Sequence, residues 1–364
     1  MSLHIPQLLR WPLAGLVFAA GAALAQPGFQ SPLTLPSAPS ALSGRAPVNA
    51  LALAGTRLVS AGQRGHILFS DDEGKTWTQA AVPVSSDLTA VFFVDAKRGW
   101  AAGHEGVILH SDDGGASWRL QLDGQRAAQL MVRQYGQAAQ PGDAAAERLA
   151  RDAATFAAQG ADKPFLDIYF ENEREGFAIG AFNMILCTED GGRSWTPWMD
   201  RVDNPDALHL YAMRPAAGAL FMVGEQGLVL RLDREQRRFV RLPLPYQGTL
   251  FGVVGTPRTV MVYGLRGNAW RSTDGGASWT RTATGVNAGL ASGAVGADGS
   301  ILLASQAGQL LRSRDDGASF DRVALGRVAP VFALSASSGQ GVALGGPDGV
   351  RMELLKDKEV NRAQ

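Results

Sequence analysis

The chain has 364 residues, 46% of them apolar, and its 34 Lys and Arg are balanced by 34 Asp and Glu. That length and apolar content exclude a disordered chain and admit either two ordinary domains or one large repeat fold. Even charge with no long like-charge run argues against nucleic acid as a partner and against capture by an acidic membrane surface, leaving proteins or small ligands.

Residues 1–25 read as a secretory signal: Arg10 precedes the apolar run 11–24, and Ala23-Leu-Ala25 suits cleavage before Gln26. A membrane anchor is the rival reading, but about 14 apolar residues fall short of the roughly 20 that a spanning helix needs. The mature chain is therefore expected to be exported, periplasmic or lumenal, with residues 26–36 a Pro/Ser-rich lead. Cys187 is the only cysteine, so no disulfide can form within the chain and none stands near the cleavage point to carry a lipid.

From residue 70 onward one phrase recurs: Ser70-Asp-Asp72-Glu-Gly74-Lys-Thr-Trp77, Ser111-Asp-Asp113-Gly-Gly115-Ala-Ser-Trp118, Thr188-Glu-Asp190-Gly-Gly192-Arg-Ser-Trp195, Ser272-Thr-Asp274-Gly-Gly276-Ala-Ser-Trp279 and Ser313-Arg-Asp315-Asp-Gly317-Ala-Ser-Phe320. This is the Asp box, S/T-x-D-x-G-x-x-W/F. It suits a hairpin turn, because hydroxyl and carboxylate accept backbone N–H groups, the glycine tolerates positive φ and the aromatic plugs into the core. Asp72, Asp113, Asp190, Asp274 and Asp315 are accordingly expected to be structural and not catalytic.

A second phrase precedes each box, two glycines with two residues between them, set between apolar strands, as in Gly62-Gln-Arg-Gly65 and Gly103-His-Glu-Gly106. The second glycine or its equivalent falls at 65, 106, 183, 227, 267, 308 and 349, which is seven units of about 41 residues with one doubled step. Units of that length with several short strands signal a β-propeller, because each small sheet must bury both faces against its neighbours. The expectation is an all-β, seven-bladed propeller spanning 37–364. The fourth and seventh units have weakened or missing boxes, and the segment 41–51 echoes 324–334, so the N-terminal segment is expected to complete the seventh blade by pairing near residues 41–43.

The doubled step holds two helical stretches split by Gln140-Pro-Gly142. The second has Asp143 as N-cap, a thin apolar stripe of Leu149, Ala153 and Phe156, and Gly160 as stop. A helical hairpin, residues 120–163, is thus predicted between blades two and three, adding surface without joining the core.

The glycine turns and the inter-blade connections fall on one face, where they surround the mouth of the central channel. Candidate binding residues there are Arg64, His104, Glu105, Asn183, Glu225, Gln226, Arg266 and Asp348, beside turn neighbours such as Phe182 and Leu265. Concave surfaces with convergent polar groups collect ligands; the plain alternative is that these are solvated turn residues. No two histidines stand at metal-ligand spacing, so neither a metal nor another cofactor is expected.

The run Gly99-Trp-Ala-Ala-Gly103-His-Glu-Gly106-Val-Ile-Leu109-His-Ser-Asp-Asp113-Gly-Gly115-Ala-Ser-Trp118 resembles the photosystem II assembly and stability factor family of Asp-box propellers, and similar units cover about residues 48–353. The resemblance implies a non-enzymatic scaffold that engages a membrane or envelope protein from the lumenal or periplasmic side, with room for a small ligand in the channel. The helical insertion departs from the simplest family pattern. Sialidase-like glycoside hydrolases share Asp boxes and are the alternative; they need an arginine triad and a tyrosine nucleophile, for which Tyr263 near Arg266 is the best candidate here.

Overall fold

A computed structural model describes residues 30–138, 142–336 and 341–355. The predicted signal, residues 26–29 of the lead and Gln140-Pro141 of the hairpin turn lie outside the described residues. The described chain forms seven antiparallel sheets, residues 48–79, 88–122, 165–197, 210–242, 250–282, 290–323 and 333–354. Each runs in chain order from inner to outer strand; six have four strands and the seventh has three. This is the seven-bladed propeller. Second strands such as Phe221-Met222-Val223 and Val260-Met261-Val262 are fully buried, as expected where a sheet is covered on both faces.

The Asp boxes close the turns between third and fourth strands with their own polar groups. Ser70 Oγ donates to Asp72 Oδ1 at 2.8 Å and accepts the Gly74 amide at 2.8 Å, while Asp72 accepts the Thr76 amide at 2.8 Å and its hydroxyl at 2.6 Å. The same contacts recur around Asp113, Asp190, Asp274 and Asp315. In the fourth blade, which lacks the hydroxyl, Asp233 alone caps the turn by accepting two amides, and Phe239 is still fully buried. Gly276, at φ +91°, shows why the box glycine is needed: a Cβ there would collide with Leu242 of the preceding blade.

The seventh sheet corrects one expectation. Residues 41–43 do not pair on it as a fourth strand; the segment makes a single 3-10 turn, Ser43–Arg45. The amides of Ser43, Arg45 and Ala46 donate to the Ser40, Leu42 and Ser43 carbonyls of their own turn and are not free for a ladder. It still occupies the place of that strand's exit. The Gly44 carbonyl lies against Gly349 as the carbonyls of Val84, Tyr246 and Val286 lie against Gly65, Gly227 and Gly267 in their own blades. The lead is pinned to the first blade, where the Ser37 amide donates to the Val82 carbonyl at 3.0 Å and the Ser40 amide to Gln79 Oε1 at 3.0 Å. Blades one and seven are thereby joined.

Helices α1 (Gly124–Ala138) and α2 (Ala144–Gln159) form the insertion, with the Asp143 carboxylate accepting the Ala145 and Ala146 amides and Gly160 ending α2 at φ +82°. The expectation that the hairpin stays out of the core is corrected. Ala127, Ala128, Met131 and Tyr135 make a buried stripe of α1 that joins the main apolar cluster with Trp198 and Met199. The Tyr135 hydroxyl accepts the Met199 amide at 2.8 Å and donates to Asp200 at 3.0 Å, and Gln134 donates to the Pro197 carbonyl at 2.8 Å. The insertion is bolted to the outer edge of blade three.

Candidate functional site

The central channel, about 640 Å³, is walled by the seven inner strands. Most of these strands begin with a bulge: register shifts at Val48/Ala50, Leu88/Ala90, Leu210/Ala212, Leu250/Gly252 and Leu290/Ser292 leave Asn49, Thr89, Tyr211, Phe251 and Ala291 as extra residues. A bulge re-aims its side chain, and all five line the channel at the end that carries the glycine turns. Asn49 donates to the Leu88 carbonyl at 2.9 Å and Thr89 to the Phe165 carbonyl at 2.7 Å, lacing blade one to two and two to three. Tyr211, Phe251 and the 39% exposed Phe332 give the rest of the mouth an aromatic lip.

Deeper in the wall lies an ion pair that sequence reasoning missed. Asp167, 4% exposed, accepts the Met213 amide at 2.8 Å and the Arg214 guanidinium at 2.6 Å. Burial works against the Arg214 charge, and Asp167 more than offsets it, so the guanidinium pKa is raised. Burial pushes the neighbouring Tyr263 phenol upward as well, the reverse of what a nucleophile needs. The pair is closed and neutral, with one arginine where an arginine triad was the requirement.

The eight predicted site residues do not line the channel. Arg64, Glu105, Gln226 and Arg266 hold the same turn position, at φ +50° to +56°. Arg64, Gln226, Arg266 and His104 are exposed, and Glu105 is half-buried. Glu225 Oε2 accepts the His209 amide at 2.9 Å and lies 3.2 Å from His209 Nδ1. Asp348 pairs with Arg327 at 2.8 Å. Asn183 is a correction: it is 3% exposed and bonded to Met199 and Asn204, a peg beneath the connection 199–208 and not a mouth residue. Standing in for a glycine at φ +60°, it has its side chain directed inward, where a glycine has none.

Phe182 occupies that same turn position in blade three, and sequence reading passed over it as one turn neighbour among several. It is 45% exposed at φ +55° and borders a groove of about 550 Å³ with Phe156, Lys163, His209 and Tyr211. Aligning the repeats column by column would have flagged it, because the equivalent column otherwise holds Arg64, Glu105, Gln226 and Arg266. The same alignment would have exposed the bulge column, the residue after Leu88, Leu210, Leu250 and Leu290. The reactive types elsewhere are sequestered: burial lowers the His110 pKa to about 4 and raises that of Cys187 to about 12. Among the described residues no three metal-capable side chains gather.

With this geometry the chain can be set beside known proteins. The family described as photosynthesis system II assembly factor YCF48 matches residues 54–136 and 154–309, well over half of the chain, and the break between the two stretches falls within the insertion. A photosystem II assembly lipoprotein Ycf48 of Synechococcus sp. (strain CC9902) is 24% identical over 123 residues, 33% of this chain and 37% of that protein, so the chain matches little more than a third of that relative's length. Among solved structures, YCF48 bound to D1 peptide superposes with a TM-score of 0.61 at 17% identity, covering 87% of this chain and 95% of that one. YCF48 from Cyanidioschyzon merolae gives 0.60 at 16%, covering 85% and 96%. The WD40 propeller domain of Doa1 gives 0.59 at only 8% identity, covering 90% and 97%, which shows that these scores report the fold. The family match rests on the repeats themselves, and on it the chain belongs to the photosynthesis system II assembly factor YCF48 family of Asp-box propellers.

Proposed function

We propose that this chain is an exported, non-catalytic scaffold, periplasmic or lumenal, that holds a protein partner against the face carrying the glycine turns and the helical insertion, as an accessory to a membrane protein complex. The observation that carries the reading is convergence: five of the large apolar residues left exposed, Leu42, Phe182, Leu265, Val328 and Phe332, lie on that face with the aromatic lip. Apolar side chains gathered on one face of a rigid scaffold mark a binding surface. A relative solved with a bound D1 peptide supports a protein segment as the occupant. Arg64, His104, Glu225, Gln226 and Arg266 would then form the polar rim of the contact, while Asp348 is already engaged by Arg327.

The test is site-specific photo-crosslinking in intact cells. A crosslinker at Gln226 or Arg266 is expected to trap one partner of constant mass, and a crosslinker at Lys75 or Ala277, among the Asp boxes, none. Adducts confined to the Asp-box face would overturn the assignment.

A further inference from the structure

One row of rings crosses the proposed binding face from the insertion to the channel. Phe156 of α2 lies 6.3 Å from Phe182, Phe182 packs edge-on to His209 at 4.6 Å, His209 is 6.4 Å from Tyr211, and Tyr211 meets Phe251 edge-on at 5.9 Å. Two residues before Phe251, the Thr249 carbonyl accepts the amide of Leu265, 38% exposed, which brings the turn Leu265-Arg266 alongside that end of the row. At about 3.3 Å per residue such a row accommodates up to about seven residues of extended chain.

Two features set the row apart from ordinary packing. Phe182 is a bulky apolar ring, 45% exposed, at the left-handed turn position that other blades fill with the polar Arg64, Glu105, Gln226 and Arg266. The Arg266 end of the row also carries an unpaired cation. Glu225 is engaged by the His209 amide, Asp348 by Arg327 and Asp87 by the Arg64 amide, whereas the Arg266 guanidinium meets no carboxylate among the described residues. At the other end Lys163 is already held by Gln159 at 2.6 Å and Asp162 at 2.5 Å, its ammonium over the Phe156 and Phe182 rings.

We infer that this row is the docking track for an extended segment of the partner, which seats alternate apolar side chains on the rings from Phe182 to Phe251 and sets a carboxylate against Arg266. An extended strand puts every second side chain on one face, so apolar residues two apart meet successive rings. The acidic end follows from the unpaired Arg266 guanidinium, which a carboxylate would match with charge-assisted bonds. The assignment rests on the partner-binding reading above and narrows it to one track and one peptide chemistry.

Fluorescence polarisation on the full chain tests it, with labelled octapeptides carrying leucine at positions three and five and aspartate at the last position, and the same order reversed. One of the two orders should bind, and serine in place of both leucines should abolish the signal. Phe182→Gly, a substitution that φ accommodates, should weaken binding at least tenfold. Arg266→Glu should reverse the preference towards a peptide with lysine in place of aspartate. Failure of both peptides at millimolar concentration, or equal binding by wild type and Phe182→Gly, overturns the track. Crosslinking from Gln226 separates the two claims: adducts that persist in Phe182→Gly keep the face and discard the track, and loss of adducts from every position on the face discards both.

Discussion

An Asp-box carboxylate sits among donors of its own turn, and that placement decides how the fold responds to acid. The Ser319 hydroxyl, with Ser313 and the Ser319 amide, holds Asp315 down at about 2, and the Thr76 hydroxyl does the same for Asp72. For Asp113 and Asp190 burial acts the other way, and the hydroxyl and amide bonds overcome it. A carboxylate whose folded pKa lies below its unfolded value near 3.9 adds stability above that value and loses it as pH falls through the folded one. Urea midpoints should therefore be flat near neutrality and drop between about pH 4 and pH 2, and Asp315→Asn should shallow that drop. Trp195, 5% exposed and edge-on to Phe170 at 6.1 Å, plugs the third box, so Trp195→Ala should cost about 3 to 5 kcal/mol in denaturant unfolding. Phe182→Gly should behave in the opposite manner: relief of left-handed strain offsets the loss of a half-exposed ring, leaving stability within about 1 kcal/mol of wild type.

At the level of elements, the insertion behaves as a fourth wall for blade three and not as an appendage. Removing residues 125–160 would uncover Trp198 and Met199 and leave the Met199 amide without the Tyr135 hydroxyl. That deletion should lower the melting temperature and broaden the transition, and Met131→Ala alone should cost about 2 to 5 kcal/mol. Blades and boxes were legible in the sequence because their chemistry is local: hydroxyl, carboxylate, glycine and aromatic lie within eight residues and bond to one another. The core role of α1 was not, because Ala127, Ala128 and Met131 are indistinguishable from a weak surface stripe until Trp198 is folded against them. The channel lip was hidden for a related reason. Tyr211 and Phe251 face the opening because a bulge flips them, and a one-residue register shift is set by pairing with the second strand and not by composition. Asn183 misled because it occupies a glycine position yet carries a side chain that turns inward to Asn204.

Over the whole molecule, six inter-blade contacts join neighbours along the chain, and the seventh joins its two ends. Deleting residues 31–45 should leave the blades formed but unlock blade one from blade seven, read as a lower melting temperature and earlier proteolytic cutting in 333–354. The Gly44–Gly349 contact carries a further consequence for how the protein comes into being. Some 300 residues separate the two, and closing a loop of that size costs about 5 kcal/mol of chain entropy, where each blade closes only short hairpins. Residues 31–40 can dock on blade one early, but Gly44 must wait for its own partner until the last blade has been made. Closure is a terminal step, and until it occurs the incomplete ring shows bare apolar sheet faces on both sides of the gap. Refolding from urea should accordingly show a late phase that Gly349→Ala slows while the earlier phases keep their rates.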